Sequence, residues 1–413
     1  MYQGMFAPKN SKTAQSHALK KWNTWVEMAA AKRARHGLKR EVAGPTAAMD
    51  PGLDGLRRVA FDGWTGSAST GDNFGEDAMW TCRYNRLAWV VPAMALLIAP
   101  VANAQSNDVT PDQVIAALEE AYGVHPGQRR NHTKGTCALG EFIGAPAAAA
   151  YSRSPIFSGS PLPVVARFSV AGGNPKASDT ERSPRGMALE LRLPDGSRQH
   201  MTMLDTPMFF AAMPRTFLEK MLVLKPDPAT GKPDPEKLKA FVASHPDNRG
   251  QAMFLANHNP PVSYANDAYY GIHTFKFINR ENKATLVRWR FVPEEGEKTL
   301  SDAELKSMPA DFLEHILIQQ TARAPVHWNM ILTIGQPGDP EDDATLLWPQ
   351  DRKELMVGTL TISSAMPQSG APCEKINYDP LVMSDGIAPT DDPVLLFRSP
   401  SYALSFAKRL GGL

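Results

Sequence analysis

The C-terminal part of the chain places a tyrosine among cationic side chains. Arg398, Tyr402, Ser405 and Arg409 fall at i, i+4, i+7 and i+11, which makes one continuous stripe on a helix. A phenolate can ligate ferric iron, and a nearby cation favours the phenolate over the phenol. The stripe therefore predicts an iron ligand at Tyr402, and the alternative is an amphipathic helix with a basic face. Three apolar residues lie off the stripe and are expected in the core: Val394, Leu395 and Phe406.

A second segment pairs a cation with a hydroxyl. In the run from Pro163 to Val170, the two-residue period of a strand puts Arg167 and Ser169 on one face. The apolar residues of the run alternate onto the other face, which we expect to be buried. Two interpretations stay open: Arg167 and Ser169 line one wall of a site, or they lie on the solvent face of a barrel strand.

A histidine in a polar turn is the third candidate. The chain reads Arg129-Arg130-Asn131-His132-Thr133-Lys134-Gly135. Histidine changes protonation near neutral pH and serves as a general acid or base. In isolation such a residue is more often a surface histidine than a catalyst, so His132 depends on the other segments for its interpretation.

Composition limits the classes of function. The 413 residues are 43% hydrophobic and 21% charged, an ordinary globular balance, and the formal net charge of +1 gives no overall field for nucleic acid. The three cysteines, Cys82, Cys137 and Cys373, show no spacing typical of zinc ligands. After removal of an N-terminal signal, Cys137 and Cys373 could form a disulfide or remain two buried thiols, and the sequence does not decide between them.

The first hundred residues contain two unlike pieces. Residues 79–104 combine arginines, a short apolar stretch and an Ala-Asn-Ala end, which predicts a secretory signal peptide and a periplasmic or secreted protein. The alternative is a marginal membrane anchor. Residues 1–78 precede this segment without hydrophobic periodicity, so we predict a disordered extension or a start site assigned too far upstream. Residues 105–413 are then the functional domain.

Within 105–413, short β-rich runs separated by turns predict a mainly antiparallel fold. A helix is expected from Thr110 to Gly123, and the remaining elements follow from periodicity and capping. The predicted strands are 163–170, 186–193, 198–204, 273–279, 284–292, 326–334 and 355–362. The predicted further helices are 214–223, 234–244, 301–315 and 392–408. This series indicates an α+β fold built on an antiparallel barrel or sandwich.

Several of these segments together resemble the catalase family. The matching blocks, in order, are Arg129-x-x-His132-x-Lys134-Gly135, Gly140-x-Phe142, Arg167-Phe168-Ser169, Ser183-Pro184-Arg185-Gly186, Asp205-Thr206-Pro207-Met208-Phe209-Phe210, Tyr270-Gly271-x-His273-Thr274-Phe275 and Arg398-x-x-x-Tyr402. Each block alone is weak, but their common order makes coincidence very unlikely. The resemblance covers 105–413 and implies an antiparallel eight-stranded β-barrel with peripheral helices.

The resemblance also implies roles for individual residues. His132 matches the distal histidine, Ser169 its hydrogen-bond partner, Tyr402 the axial ligand of the haem iron and Arg398 the arginine that keeps this tyrosine ionised. The remaining expected haem-binding residues are three propionate-pairing arginines and one aromatic side chain beside the distal face: Arg129, Arg167, Arg409 and Phe217.

The sequence departs from the family pattern at three places. Leu204 stands where catalases have a distal asparagine, and Asn131 replaces the small apolar residue that usually precedes the distal histidine, which predicts an altered haem contact. The chain also ends eleven residues after Tyr402 (413 minus 402), without the C-terminal helical domain of full catalases. The shorter catalase-related peroxidases share the leucine and the short C-terminus, so the chain resembles them most.

The resemblance implies a peroxidase with haem b. It would reduce hydrogen peroxide or organic peroxides with a small external reductant, show weak catalase activity and serve peroxide detoxification. One alternative is a fatty-acid hydroperoxide lyase or isomerase on the same fold, and another is a non-catalytic periplasmic haem-binding protein. We expect no nucleic-acid partner and no stable membrane insertion after signal cleavage, and a homo-oligomer stays open.

Overall fold

The computed structural model describes residues 109–412, and the segments 1–78 and 79–104 lie outside this range. Nine strands form one sheet: β1 (Gly135–Gly144), β2 (Leu162–Val170), β3 (Arg185–Arg192), β4 (Arg198–Leu204), β5 (Tyr269–Ile278), β6 (Ala284–Pro293), β7 (Val326–Ile334), β8 (Glu354–Pro367) and β9 (Ile387–Pro389). Seven helices accompany them: α1 (Pro111–Tyr122), α2 (Pro214–Val223), α3 (Pro235–Ser244), α4 (Arg249–Asn257), α5 (Asp302–Ser307), α6 (Phe312–Arg323) and α7 (Pro393–Leu410).

The sheet closes into a barrel. The strand order is β4-β3-β2-β1-β8-β7-β6-β5-β9, and an additional pairing of Leu204 with Tyr270 joins β4 to β5. All neighbouring strands pair antiparallel. Eight strands therefore complete the barrel and the short β9 extends β5, which confirms the predicted eight-stranded antiparallel fold with peripheral helices.

Two separate hydrophobic cores result. The larger one, which we call the barrel core, includes Phe168, Trp289 and Trp328. The smaller one, which we call the helical core, joins α1 to α2 and includes Val114, Leu118 and Leu218. Because the helical core lies apart from the barrel core, α1, α2 and the partly buried apolar side chains of α7 form a layer of their own beside the barrel.

The structure confirms most predicted elements and corrects one. Helix α1 begins with the capping box of Thr110 and Gln113, and the capping box at Ser301 is also present. The predicted single helix at 301–315 is wrong, because Pro309 lies between α5 and α6 and proline cannot continue the hydrogen bonding of a helix. Strand β1, the short β9 and helix α4 were not predicted. None of the helices between residues 109 and 412 is long and apolar enough to span a membrane.

Candidate active site

A cavity lies between the outer face of β2–β4 and the helices α1, α2 and α7. The structure brings all eight predicted site residues to its wall: Arg129, His132, Arg167, Ser169, Phe217, Arg398, Tyr402 and Arg409. Much of the remaining lining is apolar and comes from α1, β3, β4 and α7. The alternation in β2 explains part of this arrangement, because Phe168 enters the barrel core while Arg167 and Ser169 face the cavity.

Both the ring and the backbone of His132 are held by hydrogen bonds. Nδ1 of the ring lies 3.0 Å from Oγ of Ser169, and the backbone carbonyl of His132 accepts a 2.7 Å hydrogen bond from Nη2 of Arg167. Its φ of 53° lies in the left-handed region, which non-glycine residues rarely adopt outside strained or functional positions. Oδ1 of Asn131 supports this turn by accepting hydrogen bonds from the amides of His132 and Gly172.

The charge of His132 follows from its surroundings. Burial lowers the pKa of the imidazole from 6.5 to about 3, and the positive charges of Arg167, Arg398 and Arg129 add to this effect. The ring is therefore neutral near pH 7 and able to accept a proton. With Nδ1 protonated and donating to Ser169, Nε2 would carry the free lone pair.

A glycine leaves room for the pair of His132 and Ser169. A Cβ atom built on Gly186 would lie 3.0 Å from Oγ of Ser169 and 3.1 Å from Nδ1 of His132. These distances are tighter than most real Cβ contacts, so a side chain at this position would press on the pair. This close approach gives a physical reason for the glycine that follows Ser183-Pro184-Arg185.

Tyr402 accepts a hydrogen bond from a cationic side chain one helical turn away. Nη2 of Arg398 donates 2.8 Å hydrogen bonds to Oη of Tyr402 and to Oγ1 of Thr202. A positively charged donor on the phenol oxygen stabilises negative charge there. The predicted stripe is thus real: Ser405 and Arg409 line the same cavity. Phe406, which we expected in the core, instead borders the cavity with its ring 4.7 Å from the guanidinium carbon of Arg409.

Sequence reasoning missed a buried pair near Arg398. Nδ1 of His273 lies 2.6 Å from Oδ2 of Asp392, and both side chains are 1% exposed. Burial lowers the pKa of His273 and Arg398 lowers it further, against the opposing pull of Asp392. Asp392 also caps α7 by accepting from the amides of Val394 and Leu395. His273 stood in a matched block and Asp392 at the start of the predicted helix 392–408, but no sequence signal joins positions 119 residues apart.

Three arginines converge on one end of the cavity without enough anionic partners. Burial lowers the pKa of Arg129, and the charges of Arg167 and Arg409 lower it further. Nη1 of Arg409 is buried with no hydrogen-bond partner among the described residues. An unbalanced buried cationic cluster calls for an anionic ligand. An apolar cavity with such a cluster, a neutral histidine and a tyrosine next to arginine fits a haem with two propionates.

Each arginine is held by main-chain carbonyls. Nη2 of Arg129 donates to the carbonyls of Cys373 and Ile376, and Nη2 of Arg409 to that of Ile376. Arg167 differs, because it donates to Oε1 of Gln368 as well as to the turn that carries His132. Arg167 is thus placed both to meet an anion and to support the turn that carries His132.

Leu204 lines the cavity at the end of β4 and offers no hydrogen-bond donor from its side chain. Phe217 on α2 stacks with Phe209 at 6.3 Å between ring centroids, and Phe209 also borders the cavity. This side of the cavity is therefore apolar and aromatic apart from His132 and its partners.

The chain is similar to known proteins over most of its described length. The catalase family model matches residues 125–412. A catalase-related peroxidase of Synechococcus elongatus is 56% identical over 329 residues, which cover 79% of this chain and 97% of that protein. A catalase-related peroxidase of Mycolicibacterium paratuberculosis is 33% identical over 307 residues, which cover 74% and 96%.

Solved structures show the same fold. A fungal catalase aligns with a TM-score of 0.65 at 24% identity over 70% of this chain, and catalase A of Saccharomyces cerevisiae with 0.64 at 24% over 69%. The chain spans 60% and 62% of the lengths of these two catalases, respectively.

Proposed function

This chain belongs to the catalase family, and we propose that it is a haem-dependent peroxidase that uses His132 for proton transfer and Tyr402 to hold the iron. Peroxidase function is supported by the 56% identity to a catalase-related peroxidase across 97% of that relative. The observation that carries the assignment of residues is one cavity that contains both the neutral pair of His132 and Ser169 and the hydrogen-bonded pair of Tyr402 and Arg398.

The residues that would hold the cofactor are those already placed at the cavity wall. Tyr402 would supply the phenolate oxygen, with Arg398 stabilising its charge, and Arg129, Arg167 and Arg409 would meet the propionates. We propose haem b, since the described cavity wall contains no cysteine for a covalent attachment. When bound, haem supplies the iron at which the oxygen–oxygen bond of peroxide is cleaved.

His132 would accept and then return the proton in this reaction. Its low pKa keeps the imidazole neutral, so Nε2 can take the proton of an incoming hydroperoxide and return it to the leaving oxygen. Ser169 fixes the ring through Nδ1, and Arg167 fixes the backbone of the same residue. Such support by surrounding residues keeps a catalytic group in one geometry, which avoids reorganisation during the reaction.

The apolar side of the cavity would set the balance between catalase activity and peroxidase activity. Leu204 offers no hydrogen bond to a second peroxide molecule, so turnover would depend on a small reducing co-substrate. Hydrogen peroxide and organic peroxides are both proposed substrates. The names of the two relatives do not favour the alternatives, a hydroperoxide lyase or isomerase and a non-catalytic haem-binding protein.

We also propose that the protein is exported to the periplasm through residues 79–104, which lie outside the described part of the chain. The disulfide between Cys137 and Cys373 suits an oxidising compartment. N-terminal sequencing of the protein from a periplasmic fraction tests this, with Gln105 as the expected first residue. A mature protein that retains residues 79–104 would contradict it.

The test of function is peroxide-dependent oxidation of an aromatic donor by protein reconstituted with haem. Wild type is expected to turn over, and His132→Ala is expected to lose at least about a hundredfold in rate while retaining haem, because general acid–base transfer contributes roughly 10²–10⁴-fold. Equal donor oxidation by wild type and His132→Ala would overturn the proposed role of His132. Haem binding without any turnover in wild type would favour the non-catalytic alternative.

A further inference from the structure

Helix α1 forms one wall of the cavity. Val114, Ile115 and Leu118 line the cavity from this helix, and they pack in the helical core against α2. The helix ends at Tyr122, and the next residue, Gly123, has a φ of 82° in the left-handed region. Its position therefore depends on apolar packing and on the contacts of its polar side chains.

One carboxylate on α1 contacts two other parts of the cavity wall. Oε1 of Glu119 accepts a 2.7 Å hydrogen bond from Nε of Arg130, and both carboxylate oxygens lie 2.9 Å from Nζ of Lys408. The side chain of Arg130 is 2% exposed and that of Glu119 15% exposed. Burial raises the pKa of Glu119, but Lys408 and Arg130 outweigh this effect and lower it, so the carboxylate is ionised near pH 7.

The two cations lie beside the two sides of the proposed haem site. Arg130 is two residues before His132, in the same turn, and Lys408 is six residues after Tyr402, in the same helix. Lys408 also directly precedes Arg409, one of the arginines at the anion-binding end. Glu119 thus links α1, the turn that carries His132 and helix α7 through a single side chain.

We propose that Glu119 is a positioning residue of the haem site, which holds α1 against the turn of His132 and the helix of Tyr402 and so retains the cofactor. This inference rests on the proposed haem-dependent function. Nη2 of Arg130 is already buried with no partner among the described residues. Removing the charge of Glu119 would leave the Arg130 guanidinium buried without its counter-ion, which is much costlier than losing a surface ion pair.

The next residue on the helix offers a matched control. Glu120 forms an ion pair of 3.2 Å with Lys225, and their side chains are 48% and 53% exposed. Lys225 lies just beyond α2, and neither partner lines the cavity. Glu120→Gln therefore removes the same charge from the same helix without touching the His132 turn or α7.

The experiment measures the rate at which haem leaves the full-length protein. Wild type, Glu119→Gln, Glu119→Asp, Lys408→Gln and Glu120→Gln are reconstituted with ferric protoporphyrin IX, and transfer of the haem to excess apomyoglobin is followed by absorbance. The thermal midpoint of each apoprotein is recorded in parallel. Glu119→Asp keeps the charge on a shorter side chain and gives a graded variant if Glu119→Gln fails to fold.

We expect Glu119→Gln to lose haem at least about tenfold faster than wild type, because a partly buried ion pair loses one partner. The rates of haem loss of Glu119→Asp and Lys408→Gln should lie between those of wild type and Glu119→Gln. The rate of Glu120→Gln should lie within about twofold of wild type, because exposed pairs contribute little. The apoprotein midpoint of Glu119→Gln should lie below that of Glu120→Gln, because the buried Arg130 loses its counter-ion. A further control, Val287→Ala, destabilises the barrel core away from the cavity. Relative to its drop in apoprotein midpoint, Glu119→Gln should lose haem faster than Val287→Ala, which a purely structural role of Glu119 would not give.

One further variant and two outcomes separate the possible failures. In a double variant Glu119→Gln/Lys408→Gln, the second change should add little, because the contact is already lost. Haem loss at the same rate in Glu119→Gln and Glu120→Gln would overturn the positioning role while leaving the proposed function intact. A wild-type protein that takes up no haem would overturn the proposed function and the role of Glu119 with it.

Discussion

Nη2 of Arg398 donates a hydrogen bond of 2.8 Å to Oη of Tyr402, one helical turn further along α7. The two residues come from the same helix, so their contact is fixed locally and needs only the helix to form. Buried His273 and Asp392 lie near this arginine, and Asp392 caps the start of the same helix. The hydrogen-bond donor to the proposed iron ligand thus lies on the same helix as that ligand, and Asp392 caps the start of this helix.

This relationship predicts the effect of removing the cation. Arg398→Met should lower the haem affinity by roughly ten- to hundredfold, because a hydrogen bond to a charged group is worth about 1.5–3 kcal/mol. Arg398→Lys retains the charge and should have a smaller effect. Equilibrium titration with ferric protoporphyrin IX measures both, and affinities equal to wild type for Arg398→Met would contradict the role of Arg398.

Leu204 is predicted to limit oxygen release. Cleavage of the first peroxide requires mainly proton transfer by His132, whereas oxidation of a second peroxide also benefits from a polar donor. Leu204→Asn should raise oxygen evolution by roughly two- to tenfold and change donor oxidation less, since a hydrogen bond between neutral groups is worth about 0.5–1.5 kcal/mol. An oxygen electrode and a donor assay compare the two rates. No gain in oxygen evolution would show that Leu204 is not the determinant.

The pH dependence follows from the low pKa of His132. Burial and three arginines lower this pKa to about 3, so the neutral base is lost only as the pH falls toward that value. The rate of peroxide cleavage should therefore stay level from pH 7 down to about pH 4. Stopped-flow measurements across this range check it. An acid limb centred near the reference value of about 6.5 would contradict the burial of the catalytic imidazole.

The bridge between Cys137 and Cys373 has a measurable consequence. The two Cα atoms are 5.6 Å apart, and the bridge ties β1 to the segment whose carbonyls accept from Arg129 and Arg409. Reduction, or Cys373→Ser, should therefore weaken haem retention. Mass spectrometry of non-reduced peptides should find Cys137 and Cys373 linked. Separate, freely alkylated thiols in protein purified from the periplasm would contradict the bridge.

The sequence predicted the elements whose patterns are regular. Seven strands and the helix of Tyr402 follow from periodicity, and the positions of Arg167 and Ser169 on one face of β2 follow from the alternation of a strand. Strand β1 was missed because its glycines hide the alternation. At Gly140 a Cβ atom would lie 1.9 Å from the carbonyl oxygen of Thr361, so close approach to β8 excludes the side chain that would have shown the pattern.

Contacts across long sequence separations were beyond local reasoning. The pair of His273 and Asp392 and the contacts of Glu119 depend on closure of the barrel and on packing of α1, neither of which leaves a local trace. The resemblance to catalases, by contrast, located all eight residues at one cavity because family motifs preserve the order of distant segments.

The central claim is tested most directly by stopped-flow absorbance of the haem-reconstituted wild-type protein mixed with hydrogen peroxide. The account predicts that the Soret band of the ferric protein changes rapidly on mixing and returns to its starting form when an aromatic donor is added. It also predicts that the change is slowed at least about a hundredfold in His132→Ala. A ferric spectrum that stays unchanged in wild type after addition of excess peroxide would contradict the account.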